Sequence, residues 1–149
     1  MEPLSILRSP PVVVLASLAA QRLLSRGSST SPATSLLGAA VAAAGLGVAA
    51  AGIREIRAAG TTLDPTRPAD ASKVVRQGIY RYSRNPIYLG DALLLAGYAI
   101  HRRDLFAILP VAGFVGVIDT FQVSAEEEAL RDRFGSTYGD YVVSVRRWL

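Results

Sequence analysis

The chain has 149 residues, half of them apolar, with a mean hydropathy of +0.30 and a net charge of +4. That length suffices for one domain, but the composition is too apolar for an ordinary soluble one, so a membrane protein is the first reading. The absence of cysteine excludes disulfides, thiolate metal sites and cysteine nucleophiles, and a lone histidine, His101, leaves no histidine-based metal site. The basic residues flank hydrophobic runs instead of forming one block, which argues against nucleic acid as a partner.

After a short polar start over residues 1–9, Pro10 to Leu24 is an apolar run that reaches about 22 Å as a helix, against a hydrocarbon core of about 30 Å. It spans only if Arg22 and Arg26 snorkel. A cleaved signal peptide is the rival reading, because Arg8 precedes the run and Ala19 and Ala20 near its end are small. Arg26 to Pro32 is a loop by composition. Ala33 to Ile53, almost pure Ala, Gly, Leu and Val, is long enough to span, and Gly38, Gly45, Gly47 and Gly52 mark a close-packing helix.

Arg54 to Arg84 is the one long polar segment, punctuated by Gly60, Asp64-Pro65 and Arg67-Pro68, and reads as a surface loop with short helices at most. Ile87 to Ile100 and Leu105 to Val123 are the third and fourth apolar runs, joined by a very short turn into a helical hairpin, with a kink expected at Pro110. From Glu126 to Leu149 the apolar and aromatic residues recur at spacings of three and four, interrupted near Gly135 and Gly139. That pattern predicts an amphipathic helix on the membrane surface, with the tyrosines and Trp148 at headgroup level. The predicted fold is therefore all-α: a polytopic membrane helix bundle of about four transmembrane helices, a long loop and a C-terminal amphipathic helix. Four spans put both termini and the 54–84 loop on one face, which carries twelve of the 16 basic residues and is cytoplasmic by the positive-inside rule.

The stretch Gly78 to Asp91 places basic and aromatic side chains directly ahead of Asn85-Pro86, an N-cap and first-turn pair, so a helix N-terminus points at the surroundings of Arg84. The hairpin brings Arg84, Asn85 and Tyr88 to the end where Glu126 and Glu127 lie. Such a pocket suits a ligand bearing both a carboxylate and a cation, and Gly90 would let a flat ring approach the backbone. Asp119, inside a hydrophobic run, is a functional candidate by default, and a pair with Arg84 or an interfacial position explains it nearly as well. Tyr80 and Tyr82 suit the headgroup belt.

The ordered combination Gly-Ile-Tyr-Arg-Tyr-Ser-Arg-Asn-Pro-Ile-Tyr-Leu-Gly from Gly78, a hairpin, Glu126-Glu127, Leu130, Phe134-Gly135, Tyr138, Tyr141 and Val145-Arg146-Arg147-Trp148 resembles the isoprenylcysteine carboxyl methyltransferase and phospholipid methyltransferase group of integral membrane enzymes. The resemblance covers about residues 60 to 149 and implies methyl transfer from S-adenosylmethionine to a lipid or lipidated acceptor. One domain is expected, with N-terminal helices over 1–53 and a catalytic core over 54–149, in a bacterial inner membrane. Carried over, Tyr80, Arg84, Asn85, Pro86, Tyr88, Leu89, Gly90, Glu126 and Glu127 would form the cofactor pocket, and Arg84, Glu127 and Arg146 would act in catalysis. Many relatives carry His where this chain has Asn85, which removes a titratable group there. Asp91 is closer to the related sterol reductases, so an NADPH-dependent reductase is the alternative, and a non-catalytic scaffold a third reading.

Overall fold

The computed structural model describes residues 9–26, 28–62 and 67–149, so the polar start, Arg8 and Asp64-Pro65 lie outside the described residues. Among these every regular element is a helix, without a strand. Helix α1, Pro10–Leu24, opens with two prolines in its first turn, where a missing N–H costs nothing. Its polar residues Ser17 and Gln21 turn inward. Gln21 Nε2 donates to the carbonyls of Leu95 (2.9 Å) and Ala107 (2.8 Å), which ties three segments together at one end of the molecule. A run that reads as apolar thus carries its one strong polar contact on the buried side, where water cannot compete.

Helix α2, Pro32–Ala59, starts at a reciprocal cap in which Ser31 Oγ accepts from the Thr34 N–H and Thr34 Oγ1 accepts from the Ser31 N–H. It ends at Gly60 in the left-handed region (φ 67°). At 28 residues, about 42 Å, it outruns the apolar stretch and carries Arg54, Glu55 and Arg57 beyond it. Helix α3, Pro86–Arg102, packs along its length. Gly38 and Gly45, seven residues apart, meet Gly97 and Gly90, also seven apart. A β-carbon on Gly90 would stand 2.5 Å from the Gly45 carbonyl oxygen, and one on Gly97 2.5 Å from that of Gly38. Backbones in such contact admit only glycine. Gly52 closes on Pro86 and Ile87, whereas Gly47 faces open space and takes no part. The space at Gly90 is filled by Gly45 and Ala49, so this glycine serves helix packing and admits no ligand ring.

From Leu105 the chain runs as one helical rod to Phe134. A 3-10 turn, Leu105–Ile108, leads into α4, Leu109–Val117; a π-helical turn, Ile118–Val123, joins it to α5, Ser124–Phe134. Pro110 falls in the first turn of α4, where proline fits without kinking the helix. The departure from α geometry lies instead at the π turn, where Ser124 Oγ donates to the Asp119 carbonyl (2.9 Å). Gly135 (φ 51°) turns the chain into α6, Ser136–Ser144, and Gly139 lies inside that helix.

The segment from Glu126 is therefore no separate surface stripe: its first part extends the rod and its second folds back. Tyr138 and Tyr141 are buried against Tyr80 with Leu130, Phe134 and Val145 around them, so these tyrosines form a core and no belt. Trp148 packs on the second core cluster, Tyr88, Leu95, Phe114, Ile118 and Val123, which α1 covers with Val14 and Leu18.

Among the described residues two helices, Pro32–Ala59 and Leu105–Phe134, are long and apolar enough to cross a membrane, while α1 and α3, at 15 and 17 residues, are shorter. Leu36, Leu37, Leu46, Phe106 and Leu109 point outward, the surface a bilayer would cover.

Candidate functional site

Three separated segments meet where α3 begins. Asn85 holds the N-cap position of α3, yet its side chain makes no cap; Nδ2 donates to the Arg147 carbonyl instead (3.1 Å). Ser83 Oγ accepts from the Asn85 N–H (3.1 Å), and the Arg84 N–H donates to the Arg146 carbonyl (3.0 Å). The C-terminal strand of chain is thus strapped across the helix start by its backbone.

Glu127, buried on α5, is held through both carboxylate oxygens. Oε1 takes Arg84 Nη2 (3.0 Å) and Arg147 Nε (3.1 Å); Oε2 takes Arg147 Nη2 (2.8 Å) and Arg131 Nη2 (3.3 Å). Arg147 reaches on with Nη1 to Asp119 Oδ2 (3.0 Å), and Trp148 Nε1 donates to Asp119 Oδ1 (2.8 Å). Asp119 thus pairs with Arg147 and not with Arg84. The hydrogen bonds from Arg147 to Glu127 hold its guanidinium above the ordinary arginine range. Beside this cage, Glu126 Oε1 accepts from the Tyr88 hydroxyl (2.6 Å) and Gln122 Nε2 (2.7 Å).

A cavity of about 690 Å³ adjoins the cage, within the range of small-molecule sites. Tyr80, Arg84, Asn85, Tyr88, Glu126 and Glu127 line it. Pro86, Leu89 and Gly90 do not: Pro86 packs toward Gly52, and Gly90 packs on α2. Arg146 is exposed and outside the lining, so the inward arginine of the tandem is its neighbour. Sequence reasoning also misses Tyr138, Tyr141 and Asp91 in the wall. Burial pushes the Tyr138 hydroxyl up to about 12 and raises those of Tyr80 and Tyr141 as well, so all three line the wall as neutral groups. Tyr141 donates to the Tyr80 carbonyl (2.7 Å).

Arg84 gives the site its chemistry. Its side chain is 8% exposed, and Nε and Nη1 are buried with no acceptor among the described residues. Two guanidinium donors without an acceptor are costly, and the residue that carries them lines the cavity. The described residues hold no cluster of His, Asp or Glu fit for a metal ion.

The fold and site define an outwardly apolar helical protein with a partly open, mostly apolar cavity edged by charged side chains. The chain belongs to the phospholipid methyltransferase family, whose model matches residues 33–137, and that membership points to a membrane methyltransferase. Over 63 residues it is 38% identical to an uncharacterized protein of Haemophilus influenzae, a match that covers 42% of this chain and 100% of that one. No solved structure matches the chain.

Proposed function

We propose that the chain is an S-adenosylmethionine-dependent methyltransferase that acts on a lipid-like or lipidated acceptor at the cytoplasmic membrane face. The observation that carries this reading is Arg84: it lines the cavity, and two of its buried guanidinium donors have no acceptor among the described residues, which suits the carboxylate of the cofactor's amino-acid end. Asn85, Tyr80, Tyr88 and Glu126 would complete the polar lining, while Pro86, Leu89 and Gly90 shape the helix behind it. When bound, the cofactor supplies a methyl group made electrophilic by a positively charged sulfur. Glu127 has both oxygens engaged by arginines, so it fixes Arg84 and does not act as a base. Arg147 takes the inward role first given to Arg146.

The acceptor's route is a lateral one. Val14 and Leu15 on α1 and Ile53 and Ile56 on α2 all border the cavity, yet α2 packs on α3 while α1 packs on α3 and the rod. Leu15 is 66% exposed, so the wall between α1 and α2 faces the surface a bilayer would cover. In this reading α1 and α3 also cross, locally thinning the bilayer, and the 54–84 loop and the tail share the cytoplasmic side. Residues 54–149 form the catalytic core and 1–53 its helical support.

Thermal denaturation of purified protein in detergent tests the proposal. S-adenosylhomocysteine should raise the melting temperature of the wild type and leave Arg84→Met unchanged. A response to NADPH alone would overturn the methyltransferase reading.

A further inference from the structure

The carboxylates around the cavity differ in what holds them. Glu127 is gripped by three arginines, Asp119 by Arg147 and Trp148, and Glu126 accepts from Tyr88 and Gln122. Asp91 lines the same cavity, and no hydrogen bond or ion pair reaches it among the described residues. It stands six residues past Asn85, about 9 Å along α3. The lining it shares includes apolar Ile87 on α3 and Pro10, Val14 and Leu15 on α1, together with the Tyr88–Glu126 pair. The basic groups of the lining lie elsewhere: Arg84 belongs to Glu127, and Arg57 and Lys73 are exposed. A lone carboxylate in an apolar helix is costly and marks a functional position. What it lacks is a cation, and the cavity that it lines is large enough to admit one.

We infer that Asp91 is the acceptor-recognition residue, receiving a protonated amine at the end of an apolar chain and excluding acceptors whose reacting group is a carboxylate. This rests on the methyltransferase reading for its meaning, though not for its binding test. An ammonium head seated at Asp91 gives one proton to the carboxylate: an N–H bond breaks, an O–H bond forms, and the electron pair stays on nitrogen, which becomes nucleophilic. The carboxylic acid returns its proton to water when the product leaves. An anionic acceptor at the same place would face Asp91 as a like charge in apolar surroundings, which disfavours it.

The test uses the full chain in nonionic detergent with dodecylamine and dodecanoate as probes, read by isothermal titration. Dodecylamine should bind the wild type at least about tenfold more tightly than dodecanoate, and Asp91→Asn should lose about tenfold of that affinity. Asp91→Glu should keep most of it. S-adenosylhomocysteine should still raise the melting temperature of Asp91→Asn, which shows the variant folded and its other subsite intact. Equal dodecylamine affinity in wild type and Asp91→Asn, or equal binding of the two probes by the wild type, would overturn the assignment. An absent S-adenosylhomocysteine response in the wild type would remove the methyltransferase reading while leaving the amine site to stand on the titration.

Discussion

Replacing Glu127 by alanine strands Arg84. The guanidinium is 8% exposed, and among the described residues its one partner is Glu127 Oε1 at 3.0 Å and two of its nitrogens are without acceptors. The other two arginines of the cage differ: Arg131 is 52% exposed and Arg147 31%, so both can turn to water when the carboxylate goes. Breaking a buried pair by removing one partner costs about 3–5 kcal/mol. The lower end applies here, because the cavity beside Arg84 admits water. For a chain of this length each kcal/mol moves the melting temperature by about 4 °C, so Glu127→Ala should melt about 10 °C below the wild type. Trp148, the one tryptophan, sits in the cage and reports its loss by fluorescence. The cost comes from the stranded charge and not from the lost contact, so Glu127→Ala/Arg84→Met should recover at least half of it. A double variant that melts no higher than Glu127→Ala, or a single variant within about 2 °C of the wild type, would refute the reasoning.

Gly90→Val should unfold the α2–α3 pair, since its β-carbon would stand 2.5 Å from the Gly45 carbonyl, while Gly47→Val, which faces open space, should change the melting temperature by less than about 2 °C. Stability should be complete below about pH 10 and fall as pH rises toward 12, because an unfolded tyrosine ionises near 10 while burial holds Tyr138 neutral up to about 12. The loss should reach about 1.4 kcal/mol per pH unit for each buried tyrosine, measured as the denaturation midpoint between pH 8 and 11.5, and a flat profile would count against their burial. Asp119→Asn weakens the acceptor that holds the Trp148 indole, so its emission should shift to the red, and an unchanged spectrum would place the latch elsewhere.

What could be read from the sequence is what local chemistry decides. Asn85-Pro86 opens a helix because of what those two residues are, and Gly38, Gly45 and Gly52 mark α2 as a close-packing helix, although Gly47, read with them, faces open space. Their partner is another matter: a glycine emptied for a backbone and one emptied for a ligand look alike in sequence, which is why Gly90 reads as pocket. The tyrosines of the last segment show the same ambiguity. Their stripe fits a bilayer surface or a protein core equally well, and Tyr80, sixty residues away, decides between them.

The choice of Arg147 over Arg146 follows from where α6 stops. Val145 leaves the helix at φ −130°, ψ 134° and packs on the tyrosine core. Beyond it Arg146 is exposed, while Arg147 and Trp148 both turn in toward Asp119. Since residues 145–148 lie past the family-matched 33–137, the cage is completed by chain outside that match. Its two ends differ in consequence: Arg84 and Glu127 lie within the matched residues and adjoin the cavity, while Arg147 fastens the tail over them. The tail's backbone carbonyls at 146 and 147 satisfy Arg84 N–H and the Asn85 amide, leaving Nε and Nη1 of Arg84 as the donors still open to a ligand.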